Sequence, residues 1–539
     1  MGAANRETVA GLLADAARAA PEAPAIVYED AAGTHTISYA AMLDQSARAA
    51  QGLADLGIGA GDRVALWLPN VPAWPILYLA CCRLGAIPVA VNTRFKSSEV
   101  ADIVARSGAK LLACWPGFKH IDFLAILGEI DPAALATLQG VILYGEHNPA
   151  PPPAIARLTL VPYAKLLQRP PLAAERGAPD AACNIFTTSG TTRAPKFVVH
   201  RQGAIAAHAA RVAQAFDLTR PGTRQLLMLP ICGVFGFNQA FTTLAAGKTL
   251  HLMELFDAER AVAQFNALGI THLFATDEMI ERMLALAPGE LAFPSVRWGG
   301  YAGFNTSLAD IVARADRRGL KLVGLYGMSE IQAFFSTRRV ADPIAARAEA
   351  GGHPVSPMAM VRARDPHTGN LVGHDREGEL EIAGPSRMVG YFGDAEATRA
   401  GLTEDGFVRT GDLGRTAADG SFTFLTRMGD VLRLAGFLVS PAEIEAYLQL
   451  HPGVAASQVV ALARPEGVRA VAFVVPRAGM AFDEAAVIEH CRKGLANYKV
   501  PLRVLAIDDF PRTPSANGFK IQRNKLRDLA EQRIDAASA

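Results

Sequence analysis

A hydroxyl-rich turn carries the clearest chemical signal in the sequence. Residues 185–196 read Ile-Phe-Thr-Thr-Ser-Gly-Thr-Thr-Arg-Ala-Pro-Lys, an apolar strand start followed by five hydroxyl residues around Gly190 and then Lys196. Backbone N–H groups, hydroxyls and one cation at a tight turn can bind a polyphosphate. The Gly-x4-Gly-Lys-Ser/Thr spacing of a Walker loop is absent. Taken alone, such a turn is more often a solvated loop.

Three further kinds of segment place charged groups at turns. Residues 324–330 follow a strand and end in Ser-Glu, which puts a hydroxyl beside a carboxylate where open α/β sheets bind ligands. Residues 409–412 and 427–430 supply an acid that can accept bonds from ribose hydroxyls and a guanidinium for phosphate or ribose. Residues 511–521 end with Lys520 on a Gly/Asn turn. Each segment by itself is also explained by a structural loop.

Alternating strand and helix patterns must position these groups. Apolar strand-like runs at 64–68 and 87–91 alternate with helical patterns at 74–84 and 98–107, which predicts βαβ units with buried parallel strands. From about residue 366 short strands and turns predict a small β-rich region, and after about residue 430 a compact mixed pattern begins. We therefore expect an α/β protein with a large N-terminal domain and a smaller α+β C-terminal domain.

One helix start is predicted in detail in the C-terminal region. Ser440 is the expected N-cap, and Pro441 suits the first helical position. Glu443 lies three residues after the cap, so Ser440 and Glu443 are expected to form a reciprocal capping box. We expect these residues to hold structure and to do no chemistry.

Composition excludes several classes of protein. The 539 residues are 50% apolar and 19% charged, with 53 Lys and Arg against 52 Asp and Glu, so no global field favours a nucleic acid or a membrane surface. The six cysteines lack the density of a disulfide scaffold and the spacing of a zinc site, and buried thiols are expected. The uncharged stretches 64–82 and 225–247 contain prolines, and no signal peptide is visible. We expect a cytoplasmic protein without a membrane span.

In order and spacing these segments resemble the adenylate-forming superfamily of acyl-CoA synthetases, luciferases and peptide-synthetase adenylation domains. The family loop Thr-Ser-Gly-Thr-Thr-Gly-x-Pro-Lys is matched at 188–196, and Tyr-Gly-x-Thr-Glu is matched at 326–330 with Ser329 for Thr. The resemblance extends from Asp62 to Lys520. It implies two half-reactions: a carboxylate attacks the α-phosphate of MgATP to give acyl-AMP and pyrophosphate, and a thiol, usually that of coenzyme A, then displaces AMP.

The resemblance also implies a role for each matched residue. Lys520, Glu330 and Ser329 are expected to be catalytic, with Lys520 between the carboxylate and the α-phosphate and Glu330 as the Mg²⁺ ligand. The residues matched to ATP and AMP contacts are Thr188, Ser189, Gly190, Thr191, Thr192, Lys196, Gly300, Tyr301, Tyr326, Gly327, Asp412 and Arg427. Asp412 is expected to bind the ribose and Arg427 to support the nucleotide. Gly436 and Phe437 are expected to meet the pantetheine of coenzyme A.

The resemblance implies domain limits of 1–427 for the AMP-binding and acyl-binding domain, 428–430 for the hinge and 431–539 for a mobile C-terminal domain that carries the catalytic lysine. Three departures from the family pattern lie near these segments. Arg193 stands where the family loop usually has Gly, and Gly429 stands where the hinge usually carries Asp or Lys. The loop before Lys520 is longer than usual, although Ile-Gln-Arg follows it as in the family.

By resemblance, the acyl pocket is lined by residues 231–238, 298–302 and 332–334. The individual residues matched to it are Gly233, Val234, Phe235, Trp298, Gly299, Ala333 and Phe334. These segments contain no Lys or Arg, so a second carboxylate on the substrate would be buried without a partner, and a neutral acid is expected. Gly233, with the bulky Phe334 and Tyr301, favours a short-to-medium or aromatic acid over a long chain.

The expected activity is therefore ATP-dependent acid:CoA ligation of a neutral carboxylic acid, with ATP, Mg²⁺ and coenzyme A. Two alternatives stay open: an acyl-AMP ligase that loads a carrier protein, and a catalytically silent nucleotide-binding homologue, to which Arg193 and Gly233 point. An amino-acid-activating enzyme is disfavoured, since no acid lies near Phe235 to pair with an amine. The sequence leaves a homodimer open.

Overall fold

Two large β-sheets and their helices make up most of the chain, and a small three-stranded sheet with two hairpins follows. The computed structural model describes residues 7–119, 121–146, 150–187, 195–305, 308–434, 437–464, 467–515 and 518–536, with only the backbone at 433, 437–438, 514–515, 518–520 and 535–536. The expected fold class, α/β with a large N-terminal and a smaller C-terminal domain, is confirmed.

The strands are, in chain order, β1 (Pro24–Asp30), β2 (Gly33–Ser38), β3 (Arg63–Trp67), β4 (Ile87–Ala90), β5 (Leu111–Cys114), β6 (Gly140–Leu143), β7 (Thr159–Pro162), β8 (Ala182–Thr187), β9 (Phe197–Arg201), β10 (Arg224–Leu227), β11 (Thr249–Leu252), β12 (His272–Thr276), β13 (Trp298–Ala302), β14 (Leu322–Met328), β15 (Gln332–Thr337), β16 (Gly351–Pro354), β17 (Met360–Arg364), β18 (Leu371–Val372), β19 (Gly378–Ala383), β20 (Gly390–Tyr391), β21 (Val408–Thr416), β22 (Phe422–Arg427), β23 (Leu432–Leu434), β24 (Phe437–Val439), β25 (Val454–Arg464), β26 (Gly467–Pro476), β27 (Arg503–Ala506), β28 (Arg512–Ser515) and β29 (Gly518–Ile521).

The α-helices are α1 (Val9–Ala19), α2 (Tyr39–Asp55), α3 (Ala73–Leu84), α4 (Ser97–Ser107), α5 (Phe123–Gly128), α6 (Tyr163–Leu167), α7 (Gln202–Ala215), α8 (Val234–Ala245), α9 (Ala258–Leu268), α10 (Asp277–Leu286), α11 (Ile311–Arg317), α12 (Ile344–Ala348), α13 (Ala395–Gly401), α14 (Pro441–Leu448), α15 (Glu484–Gly494) and α16 (Arg523–Ala536).

The eight-stranded sheet has the order β20-β9-β8-β4-β3-β5-β6-β7. Its strands β3, β4 and β5 pair in parallel and are almost wholly buried, as expected of apolar strands covered by helices on both faces. Helix α3 ends where Gly85 takes a left-handed conformation, with φ of 71°, which returns the chain to β4. The βαβ units predicted between residues 64 and 107 are therefore confirmed.

The fourteen-stranded sheet has the order β18-β17-β19-β21-β22-β16-β15-β14-β13-β12-β10-β11-β1-β2. Strands β12, β13 and β14 run in parallel, so their carboxyl ends meet at one edge. The chain then turns back from β14 into antiparallel β15. A Cβ on Gly327 would lie 2.6 Å from the Ala333 Cα and from the Gln332 carbonyl oxygen, so this tight return requires glycine.

The two sheets share a buried aromatic cluster formed by helices α3 and α8. Trp74 stacks on Tyr78 at 5.5 Å, and Tyr78 contacts Phe237 and Phe241 at 5.1 and 4.7 Å between ring centroids. Because α3 belongs to the eight-stranded layer and α8 follows β10, this cluster fixes one layer against the other.

The C-terminal domain holds the antiparallel pair β25–β26 with β27 parallel to β26. Helix α14 begins as predicted, with Ser440 as N-cap and Pro441 in the first turn. The predicted capping box is wrong: the Ser440 side chain makes no capping bond, and the Glu443 carboxylate pairs instead with Lys499. An ion pair with a lysine brought in by the tertiary fold has replaced the local bond.

The six cysteines are free, and all except the half-buried Cys232 are buried, which confirms the expected buried thiols. Burial raises the pKa of the Cys81 and Cys114 thiols, which keeps them protonated and unreactive. Within the described part of the chain, no helix has both the length and the apolar character needed to cross a bilayer.

Candidate active site

The turn after β14 presents Glu330, which is buried to 8% exposure. Its Oε1 accepts a 2.9 Å hydrogen bond from the Tyr391 hydroxyl, and its carbonyl oxygen accepts a 2.7 Å bond from the Met388 N–H. The Lys196 Nζ lies 4.6 Å from the centroid of the Tyr391 ring. The structure thus brings two sequence-predicted groups, Lys196 and Glu330, to the same tyrosine.

A second cluster forms where β21 lies beside β22. Asp412 is opposite Arg427 in register, and its Oδ1 lies 3.0 Å from the Arg427 Nη1. The other oxygen, Oδ2, accepts a 2.6 Å hydrogen bond from the Tyr326 hydroxyl. Three residues predicted from separate motifs, Tyr326, Asp412 and Arg427, therefore form one contiguous group.

Burial dominates the electrostatics of this second cluster. It raises the pKa of Asp412 from 3.8 to about 6, with Arg427 and the Tyr326 hydroxyl opposing the rise and Glu330 adding to it. Because the Glu330 carboxylate adds to the rise in the pKa of Asp412, the two clusters lie close enough to interact electrostatically. Groups with strongly perturbed pKa values gather at functional sites, so this cluster is a candidate for ligand binding.

Three residues predicted to line the acyl pocket pack into an aromatic cluster. Phe334 is buried to 2% exposure, and its ring lies 5.2, 5.3 and 4.9 Å from the rings of Phe216, Phe235 and Phe274. Trp298 joins this group through edge contacts with Phe216 and Phe274 at 5.1 and 5.7 Å. Phe235, Trp298 and Phe334, predicted as pocket residues, thus belong to one apolar cluster.

A buried polar pair interrupts the apolar surroundings. The Asn238 Nδ2 donates to the Gln332 Oε1 and to the Val234 carbonyl oxygen, both over 2.8 Å. Gln332 and Phe334 both have positive φ, of 72° and 61°, which is strained for side chains of this size. The start of β15, just after Glu330, is therefore held in a costly backbone conformation by its surroundings.

Several residues predicted to bind the nucleotide or the acid also make contacts that support the fold. A Cβ on Gly299 would lie 2.8 Å from Leu322, and one on Gly300 would lie 2.7 Å from Leu325, so both are needed for strand packing. Gly233 is the N-cap of α8, which carries Val234 and Phe235. The Tyr301 hydroxyl donates to the Ala348 carbonyl oxygen over 2.7 Å. These contacts leave their predicted binding roles untested.

Several predicted residues lie outside the described part of the structure. They are Thr188, Ser189, Gly190, Thr191, Thr192, Arg193 and Gly436. Lys520 lies on β29 opposite Thr513, and Phe437 lies on β24 opposite Leu434, but both side chains are outside the description. Their roles in phosphate binding, catalysis and coenzyme A binding stay predictions.

The segment predicted as the hinge, residues 428–430, contacts strand β21 of the N-terminal domain and helix α16 of the C-terminal domain. The Met428 N–H donates to the Gly411 carbonyl oxygen over 2.8 Å. Asp430 contacts Arg523 of α16 at 3.1 Å, and the same guanidinium contacts the buried Glu445 at 2.8 Å. A Cβ on Gly429 would meet nothing within 4 Å, so the chain has room there.

A cavity of about 550 Å³ lies between the two domains. Tyr301 borders it from the N-terminal domain, and Glu443 and Lys499 border it from the C-terminal domain. Glu330, Asp412 and Phe334 are not among its lining residues. Of the predicted site residues, the described lining of this cavity includes Tyr301 alone.

Two residues that contact the predicted site residues were not identified from the sequence. Tyr391 bonds Glu330, and the buried His200 places its Nε2 2.6 Å from the Ser329 carbonyl oxygen. Tyr391 follows a glycine, and His200 lies in an apolar strand. Both patterns are typical of structural residues, so neither indicated a functional role.

The family of the chain follows from comparison with known proteins. A sequence profile described as AMP-binding enzyme matches residues 13–392, and one described as AMP-binding enzyme C-terminal domain matches residues 443–517. The chain belongs to the AMP-binding enzyme family. The resemblance to adenylate-forming acyl-CoA synthetases stated from the motifs is confirmed.

Individual relatives extend over nearly the whole chain. Feruloyl-CoA synthase of Amycolatopsis sp is 30% identical over 529 residues, covering 95% of this chain and 96% of the relative. Sulfoacetate–CoA ligase of Cupriavidus necator is 28% identical over 532 residues, covering 96% and 97%. The ATP-bound structure of MatB from Rhodopseudomonas palustris superposes with a TM-score of 0.81 at 26% identity, covering 96% and 98%. The two relatives are named for different acids, so kinship leaves the acid of this chain open.

The donor set suits a magnesium ion shared with a nucleotide. Among the described residues, no three His, Cys, Asp or Glu side chains gather as a metal site. Mg²⁺ is usually held by one or two carboxylates together with substrate phosphates and water, and Glu330 offers one such carboxylate. The hydrogen bond from the Tyr391 hydroxyl fixes one oxygen of this carboxylate, Oε1.

Proposed function

We propose that this protein is an ATP-dependent acid:CoA ligase that acts on a neutral carboxylic acid, either a short-to-medium fatty acid or an aromatic acid. The general activity, AMP-forming ligation of an acid to a thiol, accords with the family. The observation that carries the residue assignments is the convergence of Lys196 and Glu330 on Tyr391, beside the group formed by Tyr326, Asp412 and Arg427.

In the first half-reaction, a carboxylate oxygen of the acid forms a bond to the α-phosphorus of ATP, and the bond from that phosphorus to the bridging oxygen of pyrophosphate breaks. Asp412 accepts the ribose hydroxyls, and Arg427 lies beside the nucleotide. Lys196 and the hydroxyls at 188–192 bind the leaving phosphates, and Ser329 contacts the α-phosphate. Mg²⁺, when bound at Glu330, offsets the negative charge of the phosphates.

Lys520 completes the first half-reaction by lying between the incoming carboxylate and the α-phosphate. Two anions meet there, and a fixed cation stabilises their approach. In the second half-reaction the sulfur of coenzyme A forms a bond to the acyl carbon, the carbon–oxygen bond to AMP breaks, and the thiol proton is released. Gly436 and Phe437 lie beside the pantetheine in this step.

The choice of a neutral acid rests on the surroundings of Phe334. Phe216, Phe235 and Phe274 surround its ring, and the three segments expected to line the pocket contain no Lys or Arg. A second carboxylate in such a place would lack a partner and would cost several kcal/mol. The bulk of Phe334 also opposes a very long chain.

A panel of acids scored by pyrophosphate release tests the proposal. We expect release with benzoate or octanoate and much weaker release with dicarboxylates of similar length. Mass spectrometry of the products then separates a thioester on free coenzyme A from acyl-AMP that awaits a carrier protein. Release with no acid in a broad panel supports the silent homologue, and a preference for dicarboxylates overturns the neutral pocket.

A further inference from the structure

Two buried histidines bind the segment that carries Glu330, one at the turn and one at the start of β15. His200 on β9 is fully buried, and its Nε2 lies 2.6 Å from the carbonyl oxygen of Ser329. His208 on α7 is 4% exposed, and its Nε2 lies 2.7 Å from the carbonyl oxygen of Ala333. One histidine therefore contacts the chain just before Glu330, and the other contacts it three residues after.

Both imidazoles are neutral donors. Burial lowers the pKa of His200 and His208 to about 4, so neither carries a charge at neutral pH. A carbonyl oxygen can only accept, so the proton lies on Nε2 in each ring. The His200 Nδ1 is buried without a hydrogen-bond partner among the described atoms, which suits a lone pair better than a second N–H.

The bond from His200 acts where the β-ladder provides none. Strand β14 ends at Met328 and β15 begins at Gln332, and these two residues are the last pair before the turn. The peptide between Ser329 and Glu330 thus lies at the tip, and its carbonyl oxygen is bound by the imidazole. Rotation of this peptide would move the Glu330 side chain.

The same stretch of chain reaches Glu330 by a second route. Lys196 lies against the Tyr391 ring, and the Tyr391 hydroxyl donates to Glu330. His200 follows Lys196 by four residues on β9. Residues 196–200 therefore contact the Glu330 segment in two ways: Lys196 reaches the Glu330 side chain through Tyr391, and His200 binds the backbone just before Glu330.

We propose that His200 is a positioning residue, which orients the Ser329–Glu330 peptide so that the carboxylate faces a magnesium–nucleotide complex. This role rests on the proposed function, since it requires that Glu330 serve the nucleotide's metal ion. His208 offers a matched control, because it is also buried and binds a carbonyl oxygen of the same segment, that of Ala333 on β15, three residues beyond Glu330.

Calorimetric titration with α,β-methylene-ATP, with and without Mg²⁺, tests the role without requiring turnover. His200→Met removes the donor at similar volume and is expected to weaken binding with Mg²⁺ about 10-fold to 100-fold, the usual loss when a partner of a metal ligand is removed. Binding without Mg²⁺ should change by less than about twofold, as for an uncoupled site. His200→Gln keeps an N–H at similar reach and should restore most of the affinity.

The control separates positioning from general loss of packing. His208→Met should lower thermal stability as His200→Met does, yet leave affinity for the magnesium complex within about twofold of the parent. Equal loss in both methionine variants, or no loss in His200→Met, overturns the inference. A parent protein that binds the analogue neither with nor without Mg²⁺ instead overturns the proposed function and the inference with it. Should His200→Met not fold, His200→Asn, too short to reach the carbonyl, takes its place.

Discussion

The Tyr391 hydroxyl donates a 2.9 Å hydrogen bond to Oε1 of Glu330, 61 residues away in the chain. Tyr391 lies on the short strand β20, which pairs with β9, and its ring lies 4.6 Å from the Lys196 Nζ. One aromatic side chain therefore joins the lysine expected at the leaving phosphates to the carboxylate expected at the metal ion.

Tyr391→Phe tests this connection. The change keeps the ring beside Lys196 and removes only the hydroxyl donor to Glu330, so the carboxylate loses a fixed orientation. We expect the rate of carboxylate-dependent pyrophosphate release to fall about 10-fold to 100-fold, with a higher Mg²⁺ requirement. Magnesium titrations of the parent and variant provide the measurement. A parent-like magnesium dependence would show that the hydroxyl does not orient the carboxylate.

The charged form of Asp412 is expected to lower the stability of the fold and to strengthen the binding of ATP. Burial raises its pKa from 3.8 to about 6, so the fold favours its neutral form and pays for the charged form at neutral pH. The rise corresponds to about 3 kcal/mol at most. We therefore expect Asp412→Asn to raise the urea midpoint at pH 8 while it weakens binding of ATP. A variant that is destabilised at pH 8 would contradict this account.

The pH dependence supplies an internal control for Asp412. The raised pKa means that the parent gains stability as pH falls from above 6 toward 4, because the folded state takes up the proton first. Asparagine does not titrate. The stability difference between Asp412→Asn and the parent should therefore shrink between pH 8 and pH 5, and a constant difference would contradict the assignment.

His272 is expected to make the stability of the fold depend on pH in the opposite direction to Asp412. Burial lowers its pKa from 6.5 to about 4, so its contribution to stability is complete above pH 6.5 and is lost as pH falls toward 4. At pH 5 the loss is about 2 kcal/mol for such a histidine. The parent should lose stability between pH 7 and pH 5, and His272→Gln should make this loss smaller by about 2 kcal/mol. Urea unfolding of both proteins at the two pH values provides the test, and an unchanged difference would contradict it.

Local patterns predicted the elements that present the site. The alternation of apolar strands and helices predicted β3 to α4, because a parallel strand buried on both faces must be apolar and must be followed by a covering helix. The position of Glu330 at the end of β14 followed in the same way, since a hydroxyl and a carboxylate directly after a buried strand lie at the edge of the sheet.

Contacts between distant segments left no such pattern. Tyr391 meets Glu330 only because β20 adds to the edge of the eight-stranded sheet beside β9. The capping box predicted for Ser440 does not form, because the Glu443 carboxylate pairs with Lys499, 56 residues further along the chain. Arg523 is one of many arginines in the sequence until the fold places Asp430 and Glu445 against it. Tertiary partners of this kind compete with local bonds and cannot be read from spacing.

Arg523 is expected to hold the C-terminal domain to the segment proposed as the hinge. Its guanidinium contacts Asp430 at 3.1 Å and the fully buried Glu445 at 2.8 Å, and Glu445 also accepts from the Val459 N–H. Arg523→Met leaves Glu445 buried without its cation and should cost about 3 to 5 kcal/mol of stability. Thermal unfolding provides the measurement.

A double variant separates the buried charge from the packing. Arg523→Met combined with Glu445→Gln removes the uncompensated carboxylate, so much of the lost stability should return. Arg523→Lys should restore only part of it, because one ammonium cannot reproduce two directed guanidinium contacts. A double variant no more stable than Arg523→Met alone would show that the arginine acts mainly through its aliphatic packing.

Lys520 is expected to serve adenylation alone. The first half-reaction brings two anions together and gains most from a fixed cation, whereas the second joins a thiol to an acyl group that is already activated. Lys520→Ala should therefore lose about 10²-fold to 10³-fold in pyrophosphate release from acid and ATP. Supplied with acyl-AMP and coenzyme A, the same variant should still form the thioester at nearly the parent rate. Comparable losses in both assays would show that this lysine also supports thioester formation, and would assign it to a contact that persists through both steps.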